Sequence, residues 1–277
     1  MSRERPAVLM CRPDHFGIEY EINPWMHVEK NADRALAIRQ WEALVGLLEK
    51  AGAKVELMAS AAGLPDMVFT ANAGVVWHDV FVPSVFRHEE RQGEQPHFGK
   101  WFRERGWKIE HLPSGAAFEG AGDALFCGRT LFAGYLHRSE IESHAELGEI
   151  FGCETLSLEL VDPRFYHLDT CFCPLAPGVA LYYPGAFDEY GRRVLEANVP
   201  KLLAVPEADA VRFACNAVVI GRTVTHNAGC PWLEAVLTEH GFVSQSTPLD
   251  EFLKAGGSAK CLTLRLDGEE AAEWSVP

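Results

Sequence analysis

The chain has no apolar run near the ~20 residues that crossing a bilayer requires, so no membrane span is expected among its 277 residues. It also lacks a Ser/Gly-rich linker, a block of like charge and any low-complexity tract, which argues against modules joined by flexible connectors. Positive charge is scarce: 25 Lys and Arg face 39 Asp and Glu, for a net charge of -14. That balance disfavours nucleic acid or an anionic membrane as a partner and suits a small cationic substrate. The start, Met1-Ser2-Arg3-Glu4-Arg5, is followed only by a short apolar run, Ala7 to Cys11, before Arg12. This is too little for a secretory leader, so a cytoplasmic protein is expected. Its eight cysteines are then reduced thiols rather than a disulfide framework. Common zinc spacings are missing too: His167, Cys171 and Cys173 lie close together, but no second ligand pair accompanies them. Along a strand they read as ordinary core, and no metal is expected.

What the chain does have is an internal period. The segments Phe69-Thr70-Ala71-Asn72, Phe118-Glu119-Gly120-Ala121, Tyr166-His167-Leu168-Asp169 and Phe213-Ala214-Cys215-Asn216 recur at intervals of 49, 48 and 47 residues, and a further step of 48 reaches Cys261. Self-similarity in this range marks an array of one supersecondary unit. Each unit begins with two β-rich runs, such as Ala217-Val218-Val219-Ile220 and Thr223-Val224-Thr225 across Gly221-Arg222. A helix follows: Trp41, Leu44, Val45 and Leu48 fall at i, i+3, i+4 and i+7 before Gly52. Phe98, Trp101, Phe102 and Arg105 before Gly106 repeat the pattern, and Ser139 with Glu142 is a candidate capping box for the next helix. A short strand then closes the unit, as at Val55–Leu57 and Thr155–Leu158. The spacing predicts a ββαβ unit present five times, with Val8-Leu9-Met10 supplying the first, in one domain covering 1–277. The stretch from Gln92 to Gln95 reads as a surface loop.

The polar residues share the phase of the repeat, so units placed around an axis would bring them together. Cys261 follows Lys254-Ala255-Gly256-Gly257-Ser258-Ala259-Lys260, a small-residue lead-in that reads as flexible and lets backbone approach a ligand. A cysteine nucleophile reacts as its thiolate and needs a polar neighbourhood. Alternation on a strand would point His167 and Asp169 to one face, where the carboxylate orients the imidazole. Asp66, Asn72, Glu119 and Asp123 lie at or beside unit starts and add carboxylates in the same phase.

These segments, Pro65-Asp66-Met67-Val68-Phe69-Thr70-Ala71-Asn72, Phe118-Glu119-Gly120-Ala121-Gly122-Asp123, Tyr166-His167-Leu168-Asp169 and the Gly-Gly-x-x-x-Cys ending at Cys261, resemble the guanidine-modifying enzymes of the pentein superfamily. The likeness runs over nearly the whole chain. It implies an α/β fold, a five-bladed ββαβ pseudo-symmetric propeller, with a cysteine nucleophile at its axis and neither metal nor cofactor. It further implies that Cys261 attacks a guanidinium gripped by Asp66 and Glu119, with Asp169 assisting beside His167, and that His167 serves as acid and base through a thiouronium intermediate. Arg87 and Arg138 stand where relatives hold the α-carboxylate of an arginine-like substrate, and Phe16–Pro24 resembles the lid, with Asn23 touching substrate.

Within the group, Asn72 stands where deiminases and dimethylaminohydrolases carry an Asp, and Phe-Thr-Ala-Asn-Ala-Gly is closer to arginine dihydrolases. The resemblance therefore ranks arginine dihydrolase or deiminase first, dimethylarginine dimethylaminohydrolase second and amidinotransferase third. A non-catalytic binding protein of the same fold would lack the Cys, His and carboxylate set and carry a basic face, unlike this chain. Exposed outer helices leave room for a homodimer.

Overall fold

The computed structural model describes residues 6–273; the Met1–Arg5 start lies outside them. Among these residues the strands form five three-stranded sheets, and each repeats one pattern. In the second blade, Gly74–Trp77 runs antiparallel to Val80–Pro83, which pairs in parallel with Lys108–Ile109 after the helix Gln95–Glu104. A parallel neighbour needs a crossover, and the helix supplies it. The third blade uses Ala124–Cys127, Thr130–Tyr135 and Thr155–Glu159 around the helix Glu142–Phe151. The fourth uses Phe172–Ala176, Val179–Tyr182 and Lys201–Ala204 around Glu189–Asn198. In the fifth, Val218–Ile220, Thr223–Asn227 and Val243–Thr247 enclose the helix Pro231–Glu239.

The first blade is completed from both ends of the chain. Ala7–Cys11 pairs in parallel with Lys54–Met58 across the helix Arg34–Lys50, while Leu264–Arg265 supplies the antiparallel strand, with Val8 opposite Arg265. The sheets are arranged as the blades of a pentein propeller, the α/β architecture that the five-fold period implied. First strands such as Ala124–Cys127 are buried throughout, whereas third strands such as Lys201–Ala204 have no buried residue and expose both ends.

Apolar packing fixes each helix to its blade. Phe102 stacks on Phe81 with ring centroids 3.6 Å apart, and Trp41, Leu44 and Leu48 turn one face of the first helix into the core. Full burial of side chains this large stabilises by roughly 1.5–3 kcal/mol each. The capping box is not formed. The helix of the third blade starts at Glu142 without a side-chain cap, and the Ser139 hydroxyl instead donates to Asp123 Oδ2 at 2.6 Å and accepts from the Glu119 N–H at 3.0 Å. The stretch from Gln92 to Gln95 is a turn between two helices with Gln92 and Gly93 exposed, as expected of a surface loop, but Glu94 departs from it and is wholly buried against Arg91.

Candidate active site

Each repeated segment is the turn that leads into the first strand of a blade, and these turns are laced together in a circle. The Ala71 N–H donates to the Cys261 carbonyl at 3.1 Å, and Asn72 Nδ2 donates to the Glu119 carbonyl at 3.2 Å. Asp123 Oδ1 accepts from the Leu168 N–H at 3.0 Å, and Asn216 Nδ2 donates to the Asp169 carbonyl at 3.1 Å. The Cys261 N–H donates to Asn216 Oδ1 at 3.1 Å and closes the ring. Backbone groups buried at the axis are thereby satisfied by side chains of neighbouring blades, which fixes the turns relative to one another.

This lacing brings Asp66, Asn72, Glu119, His167, Asp169 and Cys261 into one cluster, all of them buried. Glu119 Oε2 accepts from Arg138 Nη1 at 2.9 Å and contacts His167 Nε2 at 2.8 Å. Burial opposes ionisation of Glu119, but Arg138 and His167 outweigh it and hold the carboxyl well below its usual range. An ionised Glu119 can only accept, so the His167 proton is assigned to Nε2 and leaves Nδ1 as the basic nitrogen. Burial also lowers His167 to about 4, so the imidazole is neutral near pH 7. Only a glycine fits beside it: a Cβ at position 122 would lie 2.3 Å from Asn72 Nδ2 and 3.5 Å from His167 Nδ1.

Asp169 does not pair with His167. His167 precedes a short 3-10 turn, Leu168–Thr170, rather than lying in a strand, so the expected shared face is lost. Asp169 Oδ2 instead lies 3.3 Å from Cys261 Sγ, and burial lifts its carboxyl to about 7. Burial, together with the facing Asp169, pushes the Cys261 thiol well above its ordinary range. The glycine lead-in is packed rather than loose: Ala255 to Lys260 are buried and the Gly256 carbonyl accepts from the Tyr166 hydroxyl at 2.7 Å.

Asp66 is buried opposite Arg91, whose Nε lies 4.0 Å from Oδ2, while Asp66 Oδ1 has no hydrogen-bond partner. Burial raises its pKa against the pull of Arg91. The Tyr20 hydroxyl faces Asp66 in the same neighbourhood. Arg91 and Glu94 escaped the sequence reading. Arg91 Nη1 donates to Asn72 Oδ1 at 2.9 Å, while Nε and Nη2 fork onto Glu94 at 2.8 and 2.9 Å. The two expected arginines differ in setting: Arg138 is buried, stacks on Tyr166 and bonds the Ile22 carbonyl at 3.0 Å, whereas Arg87 is exposed and reaches the Leu136 carbonyl at 3.3 Å. Phe16–Pro24 lies over the cluster, with Phe16 stacked on Phe252 and Asn23 Nδ2 bonded to the Ala255 carbonyl at 3.1 Å. Among the described residues, no group of three or more His, Cys, Asp or Glu is arranged to hold a metal ion.

A ring of five ββαβ blades with a cysteine, a histidine and carboxylates laced at its axis is the architecture of the pentein superfamily. Within it, the chain belongs to the family described as N,N dimethylarginine dimethylhydrolase, eukaryotic, whose model matches residues 12–266. It is 53% identical to the bifunctional arginine dihydrolase/ornithine cyclodeaminase AgrE of Nostoc sp. over 95% of the chain. It is 40% identical to the N(G),N(G)-dimethylarginine dimethylaminohydrolase of Mycobacterium tuberculosis, over 93% of the chain and 84% of that protein. The chain spans only 38% of the length of the Nostoc protein and 37% of a second bifunctional relative, from Synechocystis sp.. It does superpose on the N-terminal domain of the cyanobacterial arginine dihydrolase ArgZ, solved with substrate bound, with a TM-score of 0.92 and 50% identity over 96% of this chain and 99% of that domain.

Proposed function

We propose that the protein hydrolyses the guanidine group of arginine by covalent catalysis at Cys261 and carries the reaction through to ornithine, ammonia and carbon dioxide. The observation that carries this reading is that the laced turns gather a buried thiol, an imidazole and three buried carboxylates, Asp66, Glu119 and Asp169, at the axis, with Asp169 against the sulfur. A guanidinium is a planar, resonance-stabilised cation, and carboxylates that fix its N–H groups hold its central carbon for attack. Asp66 Oδ1 is an acceptor without a partner, and Asp169 sits against the nucleophile. Similarity to the arginine dihydrolases supports the choice of arginine.

The arriving cation draws Cys261 into its thiolate form, and Sγ bonds to the guanidine carbon. His167, carrying the proton that the thiol has shed, delivers it to the departing nitrogen, and ammonia leaves. In the resulting thiouronium, His167 takes a proton from water; the water oxygen bonds to the carbon, the C–S bond breaks and a ureido group remains. In a second passage the thiolate attacks the ureido carbon, the second ammonia leaves, and water releases the resulting S-carbamoyl group as a carbamic acid; that acid breaks its N–C bond, its proton passes to the nitrogen and carbon dioxide departs, so that arginine and two waters give ornithine, two ammonia and one carbon dioxide. Asn72 both donates and accepts; unlike an Asp, it retains the neutral ureido intermediate for that second round. Glu119 keeps the imidazole oriented. Arg138, which bonds the Ile22 carbonyl, Asn23 in the same Phe16–Pro24 segment and Arg87, whose backbone N–H faces Glu119, are assigned to the rest of the substrate.

A second reading, hydrolysis of dimethylarginine to citrulline and a methylamine, is favoured by the family match and by the mycobacterial relative. Mass-spectrometric product analysis on isotope-labelled arginine, monomethylarginine and dimethylarginine separates the two. Ornithine with two ammonia per arginine is the expected result. Citrulline alone would make the protein a deiminase, and methylamine release without action on arginine would install the second reading.

A further inference from the structure

Asn216 lies wholly buried at the fourth position of its repeat segment, and its carboxamide is fully used. Oδ1 accepts from the Cys261 N–H at 3.1 Å. Nδ2 reaches the Asp169 carbonyl at 3.1 Å and Cys261 Sγ at 3.0 Å. The orientation of the amide is forced. A backbone N–H can only donate and a carbonyl can only accept, so the oxygen must face Cys261 N and the nitrogen must face Asp169. With both ends fixed, the hydrogen directed at sulfur can only be donated, and Sγ must receive it as an acceptor.

We propose that Asn216 is a further catalytic residue: its Nδ2–H is a preorganised donor that holds Cys261 Sγ in its nucleophilic form when the substrate cation arrives. The other polar groups around the sulfur define the balance it enters. Asp169 Oδ2 at 3.3 Å disfavours the thiolate. The Ser258 N–H supports the anion, and the buried Tyr166 phenol lies nearby. Lys260, next in the chain, is neutralised by its ion pair with Glu269, and His167 shares the cluster. Asn216 is the one neutral side chain of this group that donates to sulfur without a proton to lose. Such a fixed dipole needs no reorganisation as charge develops.

The effect on turnover rests on the guanidine-hydrolase reading, but ionisation of the thiol does not, so the test begins without substrate. The rate of iodoacetamide alkylation of the Cys261 peptide, followed by mass spectrometry across pH, reports the thiolate midpoint in the full chain. Asn216→Asp keeps the acceptor for the Cys261 N–H and replaces the donor with a carboxylate, so the midpoint is expected to rise by about one unit or more. Asp169→Asn removes the opposing charge, and its midpoint is expected to fall. Opposite shifts in two variants with parental circular dichroism are not what a structural role for Asn216 would give. Arginine turnover in Asn216→Asp is expected to drop about 100-fold in kcat, the loss typical of one missing preorganised donor. If Asn216→Asp does not fold, Asn216→Ala carries the same test, with a smaller rise. A midpoint equal to that of the parent in the folded variant overturns the proposal. Inactivity of the parent towards arginine, with the shifts intact, overturns only the substrate reading.

Discussion

Arg91 and Glu94 meet fork to fork inside the protein, with Nε 2.8 Å from Oε1 and Nη2 2.9 Å from Oε2, and both side chains are sealed from solvent. The same guanidinium reaches Asn72 Oδ1, so the pair also fixes the amide that faces the Glu119 backbone. Removing one partner of a buried pair strands the other charge, at a cost of about 3–5 kcal/mol. Glu94→Ala is therefore expected to lose stability on that scale in urea unfolding. The double change Arg91→Met with Glu94→Leu should recover much of the loss while turnover stays low. Equal stability of Glu94→Ala and the parent would show that the pair contributes nothing.

Cys261→Ser and His167→Ala are each expected to fold normally and to lower kcat by orders of magnitude. The double variant should be scarcely worse than either single one, because nucleophile and acid–base act as a unit. Steady-state kinetics on arginine decide this. Near-parental turnover in either single variant would remove that residue from the mechanism.

Opposite pH dependences of stability are expected from two buried groups. His167 has a folded pKa lowered from 6.5 to about 4; its stabilising contribution is complete above the unfolded value and is lost as pH falls from 6.5 towards 4. Asp169 has a folded pKa raised from 3.8 to about 7; its contribution is complete below 3.8 and is lost as pH rises towards 7. Asp169→Asn should accordingly be more stabilising, relative to the parent, at pH 8 than at pH 5. Denaturant titrations at the two pH values measure the difference, and no change in it would mean that Asp169 titrates alike in both states.

Gly122 tests the close packing of the site. A Cβ there would overlap Asn72 Nδ2 at 2.3 Å, within a buried cluster that cannot give way cheaply. Gly122→Ala is expected to fold, to lose about 1–3 kcal/mol of stability and to lose most of its activity through displaced Asn72 and His167. Parental kcat would mean that the amide can move without consequence.

Asn72→Asp is expected to divert labelled arginine towards citrulline. An added carboxylate favours the cationic substrate over the neutral ureido intermediate, which then escapes sooner. An unchanged yield of ornithine would separate Asn72 from the second hydrolysis.

Periodicity carried most of the fold into view, because each blade solves the same burial problem with the same spacing: the strand Thr155–Leu158 and the helix face of Trp41, Leu44 and Leu48 stand as the spacing predicts. Phase carried the cluster of Asp66, Asn72, Glu119, His167, Asp169 and Cys261. What stayed hidden were the pairings. His167 and Asp169 are two apart, but a 3-10 turn sends them to different partners, and local alternation cannot anticipate a turn built by tertiary contacts. Arg91 and Glu94 sit beside Gln and Gly in a stretch whose composition reads as solvated; only the fold reveals that each charge covers the other. Asn216 did leave a trace, since it occupies the position in Phe213-Ala214-Cys215-Asn216 that Asn72 occupies in its own segment.

Leu264–Arg265, three residues beyond Cys261, completes the sheet begun by Ala7–Cys11. In the order of synthesis, Asp66, Asn72, Glu119, His167, Asp169 and Asn216 all emerge before the sulfur does. The second to fifth blades lie wholly before Cys261 in sequence, so their strands are all made before the cysteine proposed as nucleophile. Pairing Val8 with Arg265 brings together residues from opposite ends of the propeller domain, a non-local contact of the kind whose loop-closure entropy slows folding. The strand that closes the first blade thus follows directly on the cysteine proposed as nucleophile, so that closing the ring and placing that sulfur are coupled.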